Sequence, residues 1–228
     1  MLKIKVCGLT NLADAYIALK LGADFLGFNN IRSSKRYIDL TDIKDIVMRT
    51  PESLRDKLVL LAQDQDLNSI VKTAKSLGIN IIQPYLNIPA PDSEYIKFRE
   101  QGIGIFRVIH IENKRSIADI NIDPNSADYF ILDTKSSDPN QLGGTGASFD
   151  WYLYNCAKEV LPERKMVLAG GINLQNIDEA VEYTETRMVD MATGLESAPG
   201  IKSHDKMEAL FKHLKAVKPE STARTASD

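Results

Sequence analysis

Short apolar runs alternate along this chain with longer stretches of helical periodicity, and this alternation is the feature that most restricts the fold. The runs that we predict as strands are LKIKV, DFLGF, KLVLLA, NIIQ, GIFRVIHI, DYFILD, KMVLAG and RMVDMA. Each is almost continuously apolar, which is typical of parallel strands buried on both faces. Eight strands in strict alternation with helices favour a closed (β/α)8 barrel. An open, doubly wound sheet is the alternative, because one missed element would change the count.

Amphipathic segments between the runs supply the helices of this pattern. They include NLADAYIALKLG, DLNSIVKTAKSLG, NLQNIDEAVEYT and SHDKMEALFKHLKAV. In the second segment, apolar residues recur at helical spacing from Leu67 to Leu77, and Gly78 follows as a stop signal. We find no linker, so we predict one barrel domain over residues 1–216. Residues 217–228 form a polar tail that we expect to be disordered.

Charge, apolar runs and cysteine content exclude several classes of protein. The 228 residues carry a net charge of −3 without the basic stripe of a nucleic-acid-binding protein. No apolar run is long enough to span a bilayer, and the N-terminus begins on a strand pattern. The two cysteines, Cys7 and Cys156, fit free thiols in a reducing compartment, so we expect a cytoplasmic protein. The histidines lack metal-ligand spacing, so we predict no metal site.

Two residues with acid–base chemistry end predicted strands, where barrels carry their catalytic groups. Cys7 ends the first run and Asp133 ends the sixth. A cysteine there can be a small hydrophobe, and a carboxylate there can bond to loop amides. Together in one cavity they would form an acid–base pair. We expect positive charge to lower the thiol pKa from about 8.5 and burial to raise the carboxyl pKa from about 4.

Glycine-rich segments follow the last three predicted strands. Glycine allows close backbone approach and the conformations of an anion-binding nest. Tight turns are the alternative, but barrels commonly bind phosphate after strands seven and eight, which favours a phosphorylated substrate. The residues that we predict to bind it are Gly143, Gly144, Thr145, Gly146, Gly170, Gly171, Thr193 and Gly194.

The polar loop after the second predicted strand carries Arg32, Lys35 and Arg36. A basic loop is commonly solvated surface. A guanidinium at the active face also offers a fork for a carboxylate or a phosphate. Arg36 is therefore a candidate substrate contact.

A series of segments, in order, resembles the phosphoribosylanthranilate isomerase family. They are KVCGLT, GAD-x2-GF, S-x-R-Y, LDT, GGTG-x2-FDW, LAGGI and VDMATGLESAPGIK, from residue 3 to about residue 206. The resemblance implies a (β/α)8 barrel that performs an Amadori rearrangement in tryptophan synthesis. It also implies that the protein needs no metal and no organic cofactor.

The resemblance also implies roles for individual residues. Cys7 matches the family's general base and Asp133 its general acid, while Arg36 matches the arginine that holds the anthranilate carboxylate. The glycine loops match the phosphate cradle. One departure lies in QPYLN, where Tyr85 stands at the family's histidine position.

These observations predict a small phosphorylated substrate and a monomer or homodimer, with no nucleic-acid or membrane partner. Two alternatives are a barrel isomerase for another phosphorylated amino-sugar and a non-catalytic sugar-phosphate-binding barrel. The latter predicts the loss of Cys7 or Asp133, and both residues are present.

Overall fold

Eight parallel strands close into a barrel in the computed structural model, which describes residues 1–134 and 150–216. The barrel strands are β1 (Lys3–Cys7), β2 (Phe25–Asn30), β3 (Leu58–Asp64), β4 (Ile81–Leu86), β5 (Gly104–Ile111), β6 (Tyr129–Thr134), β7 (Met166–Leu168) and β8 (Met188–Met191). A short antiparallel pair, β9 (Glu196–Ala198) and β10 (Ile201–Lys202), lies outside the barrel sheet. Each predicted strand overlaps an observed one, whereas β9 and β10 were not predicted.

Helices alternate with these strands as the pattern predicts. They are α1 (Leu12–Leu21), α2 (Leu40–Arg49), α3 (Leu67–Leu77), α4 (Asp92–Glu100), α5 (Lys114–Ala118), α6 (Trp151–Ala157), α7 (Ile177–Thr184) and α8 (His204–Ala216). Gly22 and Gly78 follow α1 and α3 in the left-handed conformation, at φ of 108° and 81°. Glycine adopts this conformation without steric cost, so the stop signal predicted at Gly78 is confirmed, and Gly22 ends α1 in the same way.

The strands pair in chain order, and β1 pairs with both β2 and β8. This closure confirms the barrel and rules out the open sheet. In register, Lys5 of β1 lies opposite Asp190 of β8, and Cys7 lies opposite Gly27 of β2. Among the described helices, none has both the length and the apolar character needed to cross a membrane.

The core has two layers, because alternate side chains of each strand face opposite sides. Ile4 and Val6 of β1 belong to the larger cluster, which packs the barrel against the helices. Cys7 belongs to the smaller cluster inside the barrel, together with Leu61 and Ile131. The parity of β1 therefore places Lys5 and Cys7 inside the barrel.

A cavity of about 360 Å³ opens at the amino-terminal mouth of the barrel. Its lining residues are Phe25, Ile81, Gly104, Phe106, Asp128, Tyr129, Arg164 and Lys165. Phe106 stacks on Tyr129 with centroids 4.8 Å apart, and Phe25 meets Phe106 edge-on at 5.1 Å. This mouth lies at the opposite end from the strand termini that carry Cys7 and Asp133, so we assign its aromatic packing to stability.

Candidate active site

Cys7 is the last residue of β1 and lies buried at the carboxyl end of the barrel. Gly27 on the neighbouring strand leaves room for the thiol, because a Cβ there would lie 2.9 Å from Sγ. The chain then turns sharply at Gly8, where φ is 76°. The N–H groups of Gly8 and Leu9 both donate to the carbonyl of Gly27 at 3.0 Å. The turn therefore ends the strand with the thiol at the mouth of the barrel.

A buried ion pair lies directly below the thiol. Lys5 Nζ is 3.0 Å from both carboxylate oxygens of Asp190, and the lysine side chain has no exposed surface. Burial lowers the pKa of Lys5, but the charge of Asp190 and that of Cys7 outweigh this effect and raise it. Lys5 is thus held as a cation inside the barrel.

The environment of Cys7 does not lower its pKa, so that prediction is wrong. Burial raises the pKa of the thiol most strongly, and the negative charge of Asp190 raises it further. Lys5 and Lys202 lower it by less. The expected positive charge is present, but an anion and desolvation outweigh it.

Asp133 lies at the carboxyl end of β6 and is partly exposed. Because β1, β4 and β6 are parallel strands of one closed barrel, Asp133 lies at the same mouth as Cys7 and as Tyr85 on β4. Burial raises the pKa of that phenol well above its ordinary value, and the charges of Cys7 and Asp133 add to the shift. Both groups therefore act on one phenol at the same mouth of the barrel.

Arg36 is buried and forms a bidentate ion pair with Glu196 of β9. Its Nε donates to Oε1 at 2.7 Å and its Nη2 to Oε2 at 2.8 Å, while Nη2 also donates to Thr193 Oγ1 at 2.9 Å. None of the hydrogen bonds within the described ranges uses Nη1 of Arg36. The guanidinium is therefore fixed through its Nε and Nη2 groups.

Glu196 also accepts a hydrogen bond from Lys202 of β10, at 3.0 Å. Burial would raise the pKa of Glu196, but hydrogen bonds from Arg36 and the charge of Lys202 outweigh it and lower the pKa. Lys202 Nζ also donates to the carbonyl of Ala192 at 3.1 Å, at the end of β8. The β9–β10 pair thus ties Arg36 to the rim of the barrel.

The glycine turns after β7 and β8 lie against each other on this rim. Gly170 and Gly171 have positive φ values of 86° and 70°, and their N–H groups donate to no other described residue. A Cβ at Gly194 would collide with the carbonyl of Ile172, so only glycine fits this approach. The predicted residues Gly143, Gly144, Thr145 and Gly146 lie outside the described residues.

Several charged residues of the site were missed by sequence reasoning. They are Lys5, Asp190, Glu196 and Lys202. Lys5 and Asp190 could have been identified from the sequence, because a charged side chain inside a strand predicted to be buried needs a partner. Cys156 is a free thiol, as predicted, and it is partly buried against the outer core. Within residues 1–134 and 150–216, no cluster of three His, Cys, Asp or Glu side chains has the arrangement of a metal site.

A closed eight-stranded barrel with a thiol, a carboxylate and glycine turns at its carboxyl-terminal mouth has the architecture of the (β/α)8-barrel enzymes. The family model for N-(5'-phosphoribosyl)anthranilate isomerase matches residues 4–213. The chain belongs to this family.

Individual relatives agree with the family match. The N-(5'-phosphoribosyl)anthranilate isomerase of Thermotoga petrophila is 31% identical over 95% of this chain and 100% of its own length. That of Leptospira interrogans is 32% identical over 94% of this chain and 95% of its own. A phosphoribosyl anthranilate isomerase solved with reduced 1-(o-carboxyphenylamino)-1-deoxyribulose 5-phosphate has a TM-score of 0.74 and 26% identity, covering 95% of this chain and 100% of its own.

Proposed function

We propose that the protein isomerises N-(5-phosphoribosyl)anthranilate to 1-(2-carboxyphenylamino)-1-deoxyribulose 5-phosphate, an Amadori rearrangement in tryptophan biosynthesis. The observation that carries this proposal is that Cys7 and Asp133 lie at the carboxyl ends of β1 and β6, at the same mouth of the closed barrel. Family membership supplies the substrate class, and the solved relative with the reduced product bound supports it.

The first step opens the sugar ring. Asp133, in its protonated form, donates a proton to the ring oxygen as the bond from C1 to that oxygen breaks. The lone pair of the anthranilate nitrogen forms a double bond to C1, which gives an iminium ion. Asp133 is left as a carboxylate, so charge and protons balance. A positioned general acid of this kind contributes a factor of roughly 10²–10⁴.

The second step removes the proton from C2 of the sugar. The thiolate of Cys7 takes this proton, and the electrons of the C–H bond form a C1–C2 double bond as the nitrogen regains its lone pair. The resulting enolamine becomes the amino-ketone when C1 gains a proton and the C2 hydroxyl loses one. Because Lys5 and Lys202 stabilise the thiolate while burial and Asp190 oppose it, we infer that the thiol is the major form at neutral pH.

Two further groups hold the ends of the substrate. Arg36 presents its Nη1 edge to the anthranilate carboxylate, while Glu196 and Thr193 fix the other edge. The backbone of Gly170 and Gly171 supplies N–H donors for the phosphate. Anchoring both ends positions the sugar carbons for proton transfer.

The remaining expectations belong to the same proposal. Residues 1–216 form one domain, and residues 217–228 form a polar tail. The protein works in the cytoplasm as a monomer or a homodimer on a small phosphorylated substrate.

Isomerase turnover tests this function, with phosphoribosylanthranilate generated in situ. We expect rapid turnover by the wild type and losses of roughly 10²–10⁴ in kcat for Cys7→Ala and for Asp133→Asn. Cys156→Ala, which removes the other thiol, is the matched control and keeps full activity. A folded wild type without turnover would reject the proposal in favour of another phosphorylated amino-sugar.

A further inference from the structure

The inner face of β4 carries a hydrogen-bonded pair that the two-residue acid–base mechanism does not use. Gln83 and Tyr85 are two residues apart, so both point into the barrel. Gln83 is buried, and its Nε2 donates to the phenol oxygen of Tyr85 at 2.8 Å. With the amide in this orientation the bond occupies a lone pair of the phenol oxygen, and the proton of Tyr85 is available. In the described part of the chain, the phenol donates it to no acceptor.

Of the two polar atoms in the Gln83 amide, only Nε2 has a hydrogen-bond partner among the described residues. Its Oε1 is buried and has no hydrogen-bond partner among the described residues. A buried polar side chain that is half satisfied costs stability relative to an apolar one. The bond to Tyr85 therefore indicates that Gln83 serves to orient the phenol rather than to stabilise the barrel.

The surroundings of Tyr85 define what its proton can reach. The ring packs on the inner-barrel cluster that contains Cys7 and Leu61, and its side chain is partly exposed at the mouth. Burial and the charges of Cys7 and Asp133 raise the phenol pKa well above 10. The phenol of Tyr85 is therefore neutral, and able to donate a hydrogen bond, at neutral pH.

We propose that Tyr85 is a third catalytic residue, which donates a hydrogen bond to a sugar oxygen next to the reacting carbons, and that Gln83 is its positioning residue. The inference rests on the proposed function. A fixed donor stabilises an oxygen as it gains negative charge, without reorganisation during the reaction. The ring oxygen gains such charge as it leaves C1, beside the acid Asp133.

A histidine at this position would behave differently. Its ordinary pKa of about 6.5 lies within the working range, so its charge would change with pH. Tyr85 also donates a hydrogen bond, but its charge does not change within this pH range. Tyr85→His is therefore a conservative rescue of the hydrogen bond, and it carries a pH signature of its own.

Steady-state kinetics on phosphoribosylanthranilate between pH 5.5 and 9 test the inference. The variants are Tyr85→Phe, Tyr85→His and the control Tyr16→Phe, which alters an exposed tyrosine of α1. We expect Tyr85→Phe to lose on the order of tenfold or more in kcat, with a smaller change in KM. Tyr85→His should regain part of that loss and add an ionisation on the acid side that the wild type lacks.

Thermal unfolding of each variant separates function from folding. A kcat of Tyr85→Phe equal to that of Tyr16→Phe would overturn the inference and leave the proposed function intact. A loss that Tyr85→His does not reverse would also overturn it, since packing would then explain the effect. A folded wild type without turnover would reject the proposed function, and this inference with it.

Discussion

The buried position of Cys7 has two opposing effects on the pKa of its thiol, and the balance between them sets its reactivity. The same buried position that brings Lys5 and Lys202 near the thiol also removes water from it and places Asp190 close by. The parity of β1 and the apolar run KVC could be predicted from the sequence. The sign of the pKa shift could not, because it depends on Asp190 and Lys202, which are distant in sequence and adjacent only in the closed barrel.

The raised pKa of Cys7 leads to a testable pH dependence. In a Cys156→Ala background, Cys7 is the only thiol, and its alkylation by iodoacetamide follows the thiolate fraction. Because folding raises the pKa, the midpoint of the alkylation rate should lie at higher pH in the folded protein than in denaturant. The pH dependence of kcat/KM should rise through the same folded midpoint. A folded midpoint below the denatured one would contradict this account.

At the scale of elements, the turn after β1 couples the backbone conformation at Gly8 to the position of the Arg36 side chain. Gly8 has a φ of 76°, and a Cβ there would overlap the Arg36 side chain. Strand ends and helix stops such as Gly78 could be predicted, because their signals are local. The β9–β10 pair could not, since its strands are three and two residues long and are held by the pairing of Glu196 with Arg36 and Lys202.

Gly8→Ala tests this coupling, and Gly102→Ala is its matched control. Both glycines have similar positive φ values, 76° and 82°, so alanine costs roughly 1–2 kcal/mol of backbone strain at each. At Gly102 no described atom lies within 4 Å of the added Cβ. We expect Gly8→Ala to lower the unfolding free energy by more than the control does, and to raise KM by displacing Arg36. If Gly8→Ala and Gly102→Ala had equal unfolding free energies and equal KM values, the contact between residue 8 and Arg36 would be unimportant.

For the whole molecule, the barrel closes where its first strand meets its last. Lys5 of β1 and Asp190 of β8 lie in register across this seam, and in their ion pair Lys5 is fully buried while the Asp190 side chain is 10% exposed. The closed barrel itself could be predicted from eight alternating strands, because each apolar run needs neighbours on both sides. Which charges cross the seam depends on register, which the sequence pattern leaves open.

A double-mutant cycle measures how strongly this seam pair is coupled. Lys5→Met leaves the Asp190 charge buried without its partner, so we expect a loss of about 3–5 kcal/mol in unfolding free energy at pH 7. Asp190→Asn should also destabilise, and the double variant should lose far less than the sum. The exposed pair Arg49–Asp45 on α2 is the control, with an expected coupling of about 0.3–0.5 kcal/mol. Denaturant unfolding of all variants gives the coupling energy of each pair. A coupling of Lys5 with Asp190 no larger than that of Arg49 with Asp45 would contradict this account, because it would mean that water solvates Asp190.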